Sequence, residues 1–557
     1  MGYFARRDRS HAARRILLAT VFLLLVSVSA YALCGVQHRP TAGADATVAA
    51  GAGSAALGTT TYPIPADATF VATSGSDASG DGTIDNPYAT LQHALAGIGP
   101  TGGTVILRGG DYHEDIAVTQ PDVTIQSYPD EAVELDGTVP VAGWAQVGAS
   151  WVHSGWSARF DHSQSFTTGT NTPGFVNSAH PMAAWPDELF MDGTQLDQVA
   201  ASPGAGQFSV DYDTGTLTVG SDPQGHDVRA SDLSQAVVST GTDFTLRGIE
   251  ILGYATSLPQ LGAVYISGSG SRLENDIVAD IATEAVSVES RSVLDHLTVL
   301  DAGMTGIHGN HANGVVIENS DVEYSNREHF GTAPSAGGIK ITQSTDVTVT
   351  GNVLSNNFNA TGVWLDENVV GFTITDNAAE NDGDQAGSSG VMVELSSDGI
   401  VSGNILTGSA HGAYLLDSSG VRVLDDTFGA NGVGSVFLSQ DGRSIAPTAG
   451  PTVQPTAPNP WLLRDVAVYA NRFMSNGGPL GYQVYALDSK LGTPASSMNI
   501  VIDGNAFHTA SGATDMMVGW GQADCRTVIA YNTPAELNAA LGVDWHNLQG
   551  DGSITGD

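Results

Sequence analysis

The chain of 557 residues has only two cysteines, Cys34 and Cys525, at opposite ends, which excludes a disulfide scaffold. It has only two lysines, Lys340 and Lys490, and 20 basic residues in all against 59 acidic ones, for a formal net charge of −39. Six of the arginines (Arg6, Arg7, Arg9, Arg14, Arg15 and Arg39) fall in the first 40 residues, where Asp8 is the single acid. Beyond residue 40, 14 basic residues face 58 acidic ones. Phosphate neutralisation needs clustered Lys and Arg, so DNA and RNA are excluded as partners. An acidic polymer is a poor partner too unless metal ions intervene. Helical periodicity is also scarce, whereas 68 glycines are spread along a chain that is 41% hydrophobic. That combination points to a folded, turn-rich β protein rather than a disordered or helical one.

The one long apolar run, residues 16 to 36, follows five arginines and reads as an export signal or membrane anchor over residues 1–36. Ala30-Tyr31-Ala32 fits a cleavage site, while 21 fairly apolar residues also suffice to span a bilayer. The remainder is thereby expected outside the cytoplasm, secreted or anchored by this segment. Residues 37–61, small and featureless, read as a flexible linker.

From about residue 240 a short unit recurs in which β-branched residues alternate with polar ones around an Asn or Asp. Its key positions are Asn275, His296, Asn319, Asn352, Asn377, Asn404, Asp426, Asn471 and Asn505, with a base period of 21 to 25 residues and occasional insertions. Such a period marks a solenoid. Each unit holds two or three strand-like stretches and no helix, so the expected fold is all-β: a right-handed parallel β-helix with one coil per repeat and the asparagines stacked as a ladder. The N-terminal cap and first coils cover 62–137, with a short helix inside residues 86 to 99, opened by Asn86-Pro87. An inserted antiparallel β subdomain occupies 138–235 and holds four of the eight tryptophans. The main solenoid runs over 236–532, and 533–557 form a helical C-terminal cap and tail. The Pro-rich stretch 446–461 reads as a loop leaving the solenoid.

A second motif begins with glycine: Gly306-Ile-His-Gly-Asn, Gly338-Ile-Lys-Ile-Thr, Gly362-Val-Trp-Leu-Asp, Gly390-Val-Met-Val-Glu and Gly412-Ala-Tyr-Leu-Leu. Alternation buries Ile339, Ile341, Val363, Leu365, Val391 and Val393 and turns His308, Lys340, Trp364, Asp366, Met392, Glu394 and Tyr414 onto one exposed sheet face. Any one of these alone is an ordinary solvated strand residue. Together, a Trp, a Met and a Tyr beside two carboxylates suit a carbohydrate groove. Asp366 and Glu394 share one offset on consecutive coils, about 4.8 Å apart along the backbone. Like charges that close split the two pKa values, and a short carboxyl separation is the geometry of retaining glycoside hydrolysis. Insertions at 325–338 and 380–389 read as groove walls, with Arg327, Glu328 and His329 as lining residues.

FVATSGSDASGDGTIDNPYATLQHAL with GGTVILRGGDYHEDI and VTIQSYPDEAVELDGT resembles the opening of bacterial right-handed β-helix proteins of the pectate-lyase-like superfamily. GVWLDE with GVMVELSSDGIVSGN one coil later resembles family 120 glycoside hydrolases, β-helix xylosidases with an inserted β domain. The resemblance implies Asp366 as nucleophile and Glu394 as acid/base, without metal or cofactor, on an oligosaccharide or polysaccharide. Glu394 is followed by Leu-Ser-Ser-Asp-Gly rather than that family's Asn-His-Gly type of continuation, which leaves the sugar open. A polysaccharide lyase or uronate epimerase, with Lys340, His308 or His311 as base and Ca²⁺ bound by acidic loops such as Asp77, Asp81 and Asp85, is the alternative. A non-catalytic glycan-binding surface protein is the other.

Overall fold

A computed structural model describes residues 51–550 except 383–387, 447–452, 475–480 and 509–515. Its strands stack into three sheets of 13 strands each. Sheet I runs from Thr69–Val71 to Ile500–Asp503 and sheet III from Gly110–Tyr112 to Leu548–Gly550. Sheet II starts at Ile116–Val118, includes Thr305–Asn310, Gly337–Thr342, Thr361–Asp366, Ser389–Glu394 and His411–Leu416, and ends in an antiparallel pairing of Met516–Gly521 with Val528–Tyr531. Every other pairing along the three sheets is parallel, one strand per sheet per coil, as a β-helix requires.

Alternation explains the core. In sheet II, Val286, Ile307, Ile339, Val363, Val391, Ala413, Val436 and Val484 are aligned neighbour to neighbour and are all but fully buried. Each larger aliphatic residue in such a column contributes roughly 1.5–3 kcal/mol of apolar burial. Strict alternation fails at the recurring glycines. The register pairs Gly337 with Thr361 and Ile339 with Val363 but skips Gly338 and Gly362. A Cβ built at Gly362 would lie 2.6 Å from Asp382 Oδ2, inside the coil. The glycines therefore face inward at a corner where the coil is too tight for a side chain.

The amide ladder runs through the buried Asn352, Asn377, Asn404, Asp426, Asn471, Asn505 and Asn547. Asn352 Nδ2 donates to Asn377 Oδ1 at 2.9 Å, Asn377 to Asn404 at 3.0 Å and Asn404 to Asp426 Oδ1 at 2.8 Å. In the three earlier repeats the expected register is off by one. Asn275, His296 and Asn319 sit in left-handed turns with φ of 55°, 56° and 52°, and the ladder position passes to Asp276, Leu297 and Ser320: Ile249 N donates to Asp276 Oδ1, Leu297 N to Ser320 Oγ and Ser320 N to Asn352 Oδ1, with the apolar Leu297 interrupting the column. Asn tolerates both environments, so composition alone does not separate them.

The N-terminal helix is Leu91–Gly97, capped by Thr90 and not by Asn86, with Thr90 Oγ1 accepting from His93 N. The C-terminal one is Pro534–Leu541, between Thr533 and a left-handed Gly542. Residues 53 to 62 are no free linker. Gly53 N donates to Asn319 O and Ser54 N to Thr298 Oγ1, and Tyr62 lies under the Arg247 guanidinium at 4.4 Å. This strap crosses successive coils because its small residues fit close to the turns. Between Asp136 and Val237 the chain leaves the solenoid to form a four-stranded and a five-stranded sheet around Trp151, Trp156, Leu189, Phe208 and Leu217. One pair in it, Asp197–Gln198 with Gln207–Phe208, is parallel rather than antiparallel.

Candidate active site

Register brings most of the expected residues together. His308, Lys340, Trp364, Met392 and Tyr414 form one column of directly paired positions across five coils of sheet II. Asp366 and Glu394 end their strands just after the paired Leu365 and Val393, which puts them in one neighbouring column. The face they share is not open, contrary to the expectation. Lys340 is 3%, Trp364 4%, His308 6%, Met392 6%, Glu394 7% and Asp366 9% exposed. Two segments outside the repeat cover it. From the insertion, Phe175, Ala183 and Ala184 pack with Leu258, Met304, Phe330, Ala336 and Ala360 of the solenoid, and Phe166 stacks on His308. From the other side the excursion after Gly434–Gln440 folds back. Asn459 Nδ2 donates to Asn368 Oδ1 and Leu395 O, and Trp461 Nε1 donates to Asn368 Oδ1.

The two carboxyls have different partners. Lys340 Nζ donates to Asp366 Oδ2 at 2.9 Å and to Pro334 O at 2.7 Å, and Glu367 N donates to Asp366 Oδ1 at 2.7 Å. The same ammonium stands 3.1 Å from the centre of the Trp364 ring. The Trp364 indole N–H donates to Glu394 Oε2 at 3.1 Å. Trp364 is thus no open stacking platform: its ring is covered by Lys340 and its N–H orients Glu394. Burial, followed by the charge of Asp366, pushes the Glu394 carboxyl up to about 7, against the opposing pull of Arg443 and Lys340. Asp366 is engaged by Lys340, while Glu394 is poised to hold or release a proton near neutrality.

The remaining expected lining residues divide. Tyr414 is half-buried beside His411 and Phe437, with ring centroids at 5.1 and 4.9 Å, and burial raises its phenol to about 12. His308 lies under Phe166, with Nδ1 3.4 Å from the buried Glu284. Arg327, Glu328 and His329 face the insertion rather than the carboxylate pair. Gln195 Nε2 reaches Glu328 Oε1 at 3.5 Å, His329 packs on His180 at 4.5 Å, and the Arg327 charge acts on Glu188. Half of the second expected wall, 383–387, lies outside the described residues. Asp77 and Asp81 accept bonds from Ala89, Thr90 and Thr83 as turn and cap carboxylates, and no group of three metal-ligating side chains occurs among the described residues. A shallow groove of about 610 Å³ lies on sheet I between Asp346, Thr348, Thr373, Asp398, Ile400 and Arg422.

Sequence reasoning missed one group. Arg443 Nη1 donates to Glu394 Oε1 at 2.6 Å, and Arg443 Nε donates to Asp441 Oδ2 at 2.9 Å and lies 3.3 Å from Asp417 Oδ2. Asp417 is fully buried; its carboxyl is pushed up to about 8, first by burial. Gln440 Nε2 and Asp441 N both donate to Asp417 Oδ1, which anchors the start of the excursion. The available signal was scarcity, because a cation after residue 40 is rare in this chain.

A model described as the right-handed beta helix region matches residues 236–445. No curated protein sequence matches the chain. Among solved structures, the complex of XylC with xylose shares 15% identity and a TM-score of 0.65, over 87% of this chain and 86% of that one. The periplasmic alginate epimerase AlgG (14%, TM-score 0.39, 75% and 83%) and a GH136 lacto-N-biosidase from Eubacterium ramulus (11%, 0.39, 87% and 67%) are more distant. With three stacked 13-stranded sheets, an amide ladder and this match across the central coils, the chain folds as a right-handed parallel β-helix.

Proposed function

We propose that the protein is a retaining glycoside hydrolase acting on an uncharged sugar chain, with Asp366 as nucleophile and Glu394 as acid/base. One observation carries the reading: two carboxyls on adjacent coils, one ion-paired with Lys340 and the other pushed up to about 7. In the first step Glu394 gives its proton to the glycosidic oxygen while an Asp366 oxygen attacks the anomeric carbon; the C–O bond to the leaving group breaks and a glycosyl ester forms. In the second, Glu394 takes a proton from water, the hydroxide attacks the same carbon, and Asp366 leaves. Lys340 orients Asp366, and the cover from the insertion and the excursion limits competing water. The fold likeness to XylC, which is described bound to xylose, is in keeping with a sugar ligand.

The lyase and epimerase readings need a cation free to neutralise a uronate. Here Lys340 is held by Asp366 and Arg443 by Glu394 and Asp441, so neither is favoured. A panel of aryl glycosides and oligosaccharides followed by NMR tests the proposal. It predicts product first formed with retained configuration, and loss of at least about 10³-fold in kcat in both Asp366→Asn and Glu394→Gln. Unsaturated uronate, inverted product, or glycan binding without turnover refutes it. Residues 1–36 are proposed to carry the protein out of the cytoplasm, by a cleaved signal or a retained anchor. Fractionation of a tagged chain against a variant lacking them tests this, and an unchanged cytoplasmic location for both disproves it.

A further inference from the structure

The Glu394 carboxyl has both oxygens engaged, Oε2 by the Trp364 N–H and Oε1 by Arg443. Trp364 belongs to the solenoid and sits in the column next to Asp366. Arg443 does not: it stands three residues beyond the end of Gly434–Gln440, on the excursion, and reaches back across 49 residues of sequence to Glu394. Its own position is fixed at several points. Asp441 Oδ1 accepts from Arg443 N at 2.8 Å and Asp441 Oδ2 from Nε at 2.9 Å. Asp417, one coil beyond Glu394, ties down Asp441 N and Gln440. Arg443 Nη2 is buried without a hydrogen-bond partner, so the guanidinium still has a donor to offer inside the site.

We propose that Arg443 is a positioning residue that fixes the orientation of the Glu394 carboxyl and stabilises its ionised form. This rests on the reading of Glu394 as acid/base. Double displacement needs that group in both forms in every cycle, as an acid first and as a base second. A carboxyl buried beside Asp366 with no cation on its far side would keep its proton too firmly to release it to a leaving group or to act as base. The charged and titratable groups facing Glu394 are Asp366 and Lys340 on the preceding coils, Tyr414 on the next, and Arg443 with its partners Asp441 and Asp417. Of the two cations, Lys340 is held by Asp366, and only Arg443 touches Glu394. The loss of negative charge when Glu394 is protonated leaves Arg443 still paired with Asp441, so the arrangement survives both halves of the cycle.

The test is the pH dependence of kcat/KM, whose alkaline limb reports loss of the Glu394 proton in the free enzyme. In Arg443→Met the limb should move up by about one pH unit, as expected for removal of an adjacent opposite charge, with kcat falling more than KM changes. Arg443→Lys should recover part of both effects. Asp441→Asn removes a counter-charge from the guanidinium, so the limb should move down. Opposite shifts in the two variants are not produced by a purely structural role. If activity falls in either variant while the limb stays at its parental pH, the proposal is wrong. Should Arg443→Met fail to fold, Asp441→Asn and Arg443→Lys decide on the same criterion. The parent and Glu394→Gln serve as reference: a parent without glycosidase activity sinks the proposed function itself, whereas an active parent, an inactive Glu394→Gln and an unmoved limb sink only the role of Arg443.

Discussion

Asp426 occupies a ladder position held by asparagine on either side of it, and replacing it with Asn should stabilise the protein in a pH-dependent way. Its Oδ1 accepts from Asn404 N at 2.7 Å and Asn404 Nδ2 at 2.8 Å, as an amide oxygen would, but its buried Oδ2 has no partner. At the flanking positions the Nδ2 group donates to a main-chain carbonyl of the coil before, Asn404 to Ile374 O and Asn471 to Val423 O. Burial pushes the Asp426 carboxyl up to about 8, against about 3.9 in an unfolded chain. Between those values the unfolded state has lost the proton that the folded state retains, so stability falls as pH rises through the window and levels off above pH 8. At pH 7 the difference of about three units corresponds to about 4 kcal/mol, an upper bound because one coil opening locally lets water reach the group. Asp426→Asn should abolish this slope and add the two missing donor bonds. Urea unfolding at pH 5 and pH 8 measures it: the variant should gain more at pH 8 than at pH 5. An equal gain at both, or a loss at pH 8, would falsify the assignment of Asp426 as a neutral acid standing in for an amide.

Trp364→Phe removes the N–H donor to Glu394 Oε2 while retaining a ring for Lys340; kcat should fall about tenfold or more with folding intact, and an unchanged kcat on a good substrate counts against Trp364 as the orienting group. Gly362→Ala forces a Cβ to within 2.6 Å of both Asp382 Oδ2 and Gly390 O, so thermal unfolding should drop by a margin equivalent to about 1–3 kcal/mol. A melting temperature equal to the parent's would show that the corner can accommodate a side chain.

Much of the solenoid was legible because its physics is periodic. Ile339, Val363 and Val391 recur in step with the coil, and the pairs Lys340–Trp364 and Leu365–Val393 follow from that register. What was illegible is what breaks the period. The inward-facing Gly362 violates alternation at a corner, and Asn275 and Asn319 imitate the ladder from an adjacent turn position. The partners that close over His308 and Glu394, Phe166 and Arg443, belong to an insertion and an excursion with no repeat of their own. The strap at Gly53 and Ser54 carries no pattern at all, because close fit to Thr298 selects only small size.

Because Asp366 and Glu394 sit one coil apart, the step between them is the interstrand repeat of a parallel sheet, about 4.8 Å, which point substitution cannot stretch. Under the proposed chemistry, the backbone spacing that favours retention is set by the lattice of the coils, and widening it requires the gain of a whole coil between the two strands. The pieces that cover the site obey no such lattice. Phe166 and Phe175 of the insertion and Arg443 of the excursion make their contacts away from the ladder asparagines. A family of such proteins would therefore diversify in the sugars accepted through the two covers, with Arg443 and Asp441 held fixed together with the coils beneath them.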